Sequence, residues 1–121
     1  MLDSLSAQWE SDLLREARRL VNESGKQRLG ADIDVYVLRN SKELYTLAAL
    51  PNFFEEMGLL VREGHLNVKD VTSRFRPSII HYGYLFSEEI ESGQKENEDH
   101  LINFKNLAAA MAFASLSLKS S

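Results

Sequence analysis

Apolar residues recur along most of this chain at spacings of three and four, the pattern of helices that each bury one face. Residues 4–23 place Leu5, Trp9, Leu13, Ala17 and Leu20 on one stripe, with Asp12, Arg15, Glu16, Arg18 and Arg19 mainly opposite. This predicts one amphipathic helix, stopped by Asn22, Ser24 and Gly25. From Ser41 a second seam runs through Leu47, Leu50, Phe54, Met57 and Val61, broadened by Leu44 and Leu60, and closes at Gly64. Asn67, with Asp70 three residues on, reads as an N-cap with an acidic first turn. The helix it opens carries Val68, Val71, Phe75, Ile79, Tyr82, Phe86 and Ile90 and ends at Ser92-Gly93. A last helix bears Leu101, Phe104, Ala108, Met111, Ser115 and Leu118.

Two features disturb this reading. Pro51 and Pro77 each remove a backbone donor and crowd the carbonyl four residues earlier, which predicts a kink or a break near each. Residues 31–38 fit a strand, through the alternation of Ile33, Val35 and Val37, but Val35, Leu38 and Tyr45 also suit a helical face. A lone strand leaves its backbone groups unpaired, so a helical turn or extended connector is preferred unless a second copy of the chain supplies the edge. The predicted fold is therefore a single all-α domain over residues 1–121, a bundle of four to five helices interrupted near Pro51 and Pro77.

Composition narrows the function more than it names it. At 121 residues the chain is long enough for one core without staples, and the absence of cysteine excludes disulfides, thiolate metal sites and cysteine nucleophiles. No signal peptide is read at the start and no apolar run approaches the ~20 residues of a spanning helix, so the expectation is a cytoplasmic chain with no membrane attachment of its own. The net charge of -4 is unevenly spread. Glu88, Glu89, Glu91, Glu96, Glu98 and Asp99 against Lys95 give -5 locally, which leaves the rest of the chain at +1. That acidic run reads as a solvated helix end and connector; an acidic docking surface or a weak divalent-cation site are its alternatives.

Chemical motifs are sparse. No glycine-rich phosphate loop and no nucleophile elbow occurs, and His65, His81 and His100 are too far apart for a local metal motif, so no catalytic residue, metal site or cofactor is predicted. His65 reads as solvated in a turn and His100 as facing the acidic connector. His81, Tyr84 and Glu88 share one helical face and form a candidate polar cluster, for which a structural hydrogen bond is the alternative to catalysis. Glu55 and Glu56 are adjacent and diverge by about 100 degrees on a helix, so only one can face inward, paired with an arginine. Arg62, Lys69, Arg74 and Arg76 form a candidate basic patch of helix-turn-helix type. Residues 62–76 net only +2, which weighs against nucleic acid. Gly58 and Gly83, each inside a helix, are expected to face one another across an antiparallel hairpin turning at Gly64.

Three stretches together resemble a known group. Trp9 heads a helix ending Ala17-Arg18-Arg19-Leu20, Asn52-Phe53-Phe54-Glu55 heads one ending Arg62-Glu63-Gly64, and Ile79-Ile80-His81-Tyr82-Gly83-Tyr84-Leu85-Phe86 follows. Over residues 8–90 these resemble a widespread group of small helical bacterial proteins catalogued as a domain of unknown function. The resemblance implies a helical bundle in which Asn52, Phe54, Glu55 and Arg62 are architectural or interaction residues. The group's tryptophan near Tyr82 is a phenol here, and the upstream membrane helix of many members does not transfer.

The remaining signal is the last helix. Residues 107–113 read Leu-Ala-Ala-Ala-Met-Ala-Phe, apolar on every side, so the helix either threads the bundle or meets another protomer. The function read from the sequence is a non-catalytic interaction or regulatory module, self-associating through Leu107, Met111, Phe113 and Leu116 or binding a protein partner. Nucleic-acid binding through the basic patch is the second reading. An enzyme using His81, Tyr84 and Glu88 is the third.

Overall fold

The computed structural model describes residues 2–31 and 41–120, which form six helices and no strand. They are α1 (Leu2–Trp9), α2 (Asp12–Ala31), α3 (Ser41–Arg62), α4 (Val68–Leu85), α5 (Ser87–Glu96) and α6 (Ile102–Ser120). The all-α bundle predicted from spacing is present, but its breaks lie elsewhere. Residues 32–38, where strand and helix compete in the sequence, fall outside the described residues.

The first expected helix divides at Glu10 and Ser11. The Ser11 hydroxyl accepts from the Leu14 backbone N–H at 3.4 Å and Asp12 follows in the first turn, so Ser11 restarts the helix as an N-cap. The restart exchanges one member of the buried stripe. Leu14, at 5% exposure, enters the core with Ala17, Leu20 and Val21, and Leu13, at 41%, is left outside. Beyond this point α2 does not stop at Gly25 but continues to Ala31.

Neither proline interrupts its helix: α3 runs through Pro51 and α4 through Pro77. Burial of Leu50, Phe53, Phe54 and Met57 around Pro51 offsets the missing hydrogen bond. Pro77 is exposed, as is Ser73 four residues earlier, so water reaches the carbonyl freed there. The actual break is at Phe86, where the backbone N–H still reaches the Tyr82 carbonyl at 2.9 Å while the Ser87 hydroxyl donates to the Tyr84 carbonyl at 2.9 Å. Ile90 accordingly belongs to α5, and most of the acidic run is helix: Glu88, Glu89, Glu91 and Glu96 all sit on α5.

The turn between α3 and α4 follows the sequence reading. Gly64 takes a φ of 79°, and the Asn67 side chain accepts from the Lys69 N–H at 2.8 Å. Leu101, just before α6, holds a φ of 51° with its side chain in the core. That left-handed conformation costs a leucine about 1–2 kcal/mol, offset here by burial.

Although α3 and α4 are consecutive, they share little contact; α6 lies against both, and α2 packs on α3. The core runs from Leu5 to Met111, and aromatic rings gather at its centre. Trp9 has its ring centroid within 5.5 to 6.2 Å of those of Phe53, Phe54, Phe75 and Tyr82. The Arg18 guanidinium lies 4.0 Å from the Trp9 ring centroid and donates to the Trp9 carbonyl at 2.6 Å, fastening α2 to the end of α1.

Candidate functional site

The seam between α3 and α6 is built from two small features of the sequence. Gly58 leaves room for the α6 backbone, since a Cβ there would collide with the Asn103 carbonyl oxygen and sit 2.8 Å from its carbon. Gly83 does the same on α4, where a Cβ would lie 2.8 Å from that of Ala108. The two glycines therefore do not face each other. Each admits α6, because α6 occupies the space between their helices.

Glu55 is the inward-facing member of its pair. Its carboxylate accepts from the Phe104 backbone N–H and from Asn103 Nδ2, both at 2.8 Å, and so caps the start of α6 from a neighbouring helix. Its partners are an amide and a backbone group rather than the arginine expected. Arg62 joins one step removed, donating to Asn103 Oδ1 at 3.4 Å. Glu56 points to solvent.

Two members of the candidate basic patch are tied to other helices. Arg62 is directed at α6, and Arg74 donates to the Ser6 hydroxyl of α1 at 2.8 Å. Only Lys69 and Arg76 have no hydrogen bond from their side chains among the described residues, and Arg76 is half-buried. The helices on either side of the turn are also long, 22 and 18 residues, and barely touch.

His81, Tyr84 and Glu88 are all exposed. The His81 ring lies 4.7 Å, centroid to centroid, from that of Tyr82, and Glu88 belongs to the next helix. No residue of the three lines either of the two clefts described next. His65 stands 3.7 Å from Glu63 in the exposed turn, and His100 packs its ring on Gly93 of α5. Among the described residues no group of three or more His, Asp or Glu is placed to hold a metal ion, and no helix is long and apolar enough to cross a membrane.

Two of the four residues singled out on α6 cannot meet a partner. Leu107 and Met111 are buried in the chain's own core, because that side of α6 packs against α3 and α4. Met111 Sδ also receives the Thr72 hydroxyl at 3.5 Å. Leu116 lies outside the residues whose side chains are described. Phe113 is different: it is 72% exposed, on a side of α6 with exposed Ala109, Ala110 and Ala112.

Two clefts lie beside these helices. A small one of about 90 Å³ lies between α6 and the α4–α5 junction, lined by Gly83, Ser87, Ile90, Glu91, Lys105 and Ala108. A larger one, about 240 Å³, opens between the α1–α2 turn and α3. Leu14, Ala49 and Phe53 make its apolar wall, and Gln8, Ser11, Asn52 and Glu56 supply polar groups. The sequence did not single out this cleft, because its two sides are joined only once Ser11 breaks the first helix and turns Leu14 toward α3. Asn52 and Glu56, one helical turn apart, were the available signal.

One buried group stands apart. Glu89 Oε2 is sealed from solvent with no hydrogen-bond partner among the described residues, and burial pushes its carboxyl up to about 7.

No family model, no curated protein and no solved structure matches this chain.

Proposed function

We propose that this chain is a non-catalytic interaction module that self-associates through the outward side of α6. The observation carrying this reading is Phe113, a large aromatic side chain left in water on a helix whose other side is core. A ring of this size gains about 2 kcal/mol or more when fully buried, so its exposure is a standing drive toward association. Around it, no charged residue occurs between Lys105 and Lys119, so a second helix meets no desolvated charge on approach. Ala109, Ala110 and Ala112 are short, which permits two such helices to come close around the phenyl rings.

A symmetric dimer places the same surface on both partners, so Phe113 of each copy packs against the alanines of the other. Gel filtration with light scattering over a concentration series tests this: a mass that rises toward twice that of the chain with protein concentration supports the reading. A monomer at every concentration overturns it.

A further inference from the structure

The cleft between the α1–α2 turn and α3 is small, mixed in polarity and negatively charged at one edge. At about 240 Å³ it falls below the roughly 300–1,000 Å³ typical of sites for drug-sized ligands and cofactors, and matches one extended side chain. Its wall of Leu14, Ala49 and Phe53 suits methylene groups. Its polar groups are the Glu56 carboxylate and the Asn52 amide on α3 and the Gln8 amide on α1, whose oxygens are acceptors.

The Glu56 charge is unanswered among the described residues. Every arginine in the first half of α2 has another partner: Arg15 pairs with Glu10 at 3.0 Å, Arg18 is fixed on Trp9, and Arg19 bridges Glu16 and Glu23. Glu56 has no ion-pair or hydrogen-bond partner among the described residues, and neither has Asn52. The glutamate one position earlier spends both oxygens on α6, so the contrast between Glu55 and Glu56 is one of use, not of residue type.

From this we infer that the cleft receives an arginine side chain from a protein partner, its stem along Phe53 and Leu14 and its guanidinium on Glu56 and Asn52. Arginine fits better than lysine because several acceptors line the cleft, and a planar guanidinium offers five donors in a fixed fork where an ammonium offers a compact point charge. The inference rests on the reading of the chain as an interaction module only for the source of the arginine.

The probe is N-acetyl-arginine amide, titrated into the Phe113→Glu variant so that self-association does not enter the measurement. Trp9 is the only tryptophan and its ring lies 5.5 Å from that of Phe53, so its fluorescence reports on the cleft. The side-chain amide resonances of Gln8 and Asn52 locate the binding. The expected result is a saturable change in both signals in the millimolar range, weakened by salt and absent with the neutral analogue N-acetyl-citrulline amide. Glu56→Gln, at an exposed position where folding is not at stake, should weaken binding by about threefold or more. Equal binding of the citrulline compound, no effect of Glu56→Gln, resonance changes elsewhere, or no saturable change would each overturn the proposal. None of these outcomes alters the association test on α6.

Discussion

The carboxylate of Glu55 accepts the backbone N–H of Phe104 at 2.8 Å across the seam between α3 and α6. An N-terminal helix donor usually finds its acceptor in the residue just before the helix; here the acceptor comes from 49 residues away. The bond therefore fixes tertiary register as well as capping a helix. Glu55→Ala leaves that N–H and the Asn103 amide without their acceptor, and should lower stability by about 2–3 kcal/mol in urea unfolding. Glu55→Gln, which keeps one acceptor oxygen and loses the charge, should cost about half as much.

Close approach at the same seam makes a second prediction. Alanine is normally better than glycine in a helix by about 1 kcal/mol. Gly58→Ala should nevertheless destabilise by about 2 kcal/mol or more, because its Cβ meets backbone that cannot rotate away. Gly83→Ala meets only the Ala108 methyl, so its cost should be smaller and Ala108→Gly should relieve it. A double-mutant cycle by denaturant unfolding checks both statements.

Glu89 gives a pH dependence with a definite sign. Its carboxyl titrates near 7 in the fold against 4.5 ordinarily, so between those values the unfolded chain has released a proton that the folded chain retains. Stability from this group therefore falls as pH rises from 4.5 to 7 and is level on either side, a total of up to about 3 kcal/mol. Glu89→Gln should remove that slope and raise the melting temperature at pH 8, with little change at pH 4. A variant whose pH profile parallels the parent would show that Glu89 ionises freely in the fold.

Arg18 should matter through packing as much as through charge. Arg18→Ala removes the cation over Trp9 and the donor to its carbonyl, and should cost about 1–2 kcal/mol with a shift in Trp9 emission. Arg18→Lys should recover part of the stability, since an ammonium can reach the ring or the carbonyl but does not span both in one plane.

Much of this fold was legible as periodicity, and its departures have local causes. The stripes through Leu47, Leu50, Phe54 and Met57, and through Val71, Phe75, Ile79 and Tyr82, are core as their spacing predicts. The breaks at Ser11 and Phe86 were hidden because spacings of three and four carry across them by chance; only Ser11-Asp12, a cap with an acidic first turn, and Glu88-Glu89, an acidic first turn without a side-chain cap, marked them. Neither proline marks a break, since packing around Pro51 outweighs its local cost. At the site level, exposure was the missing quantity. Sequence placed Leu107, Met111 and Phe113 together as apolar, but only the packing of α6 against α3 and α4 separates the two that are core from the one that is surface.

Sedimentation equilibrium of the parent chain and of Phe113→Glu reads the association through α6 itself. The parent should form a concentration-dependent dimer and the variant a monomer of unchanged helicity, because the substitution puts a charge where the interface must be dry. A parent that stays monomeric at the highest concentration, or a dimer that survives Phe113→Glu intact, would contradict it.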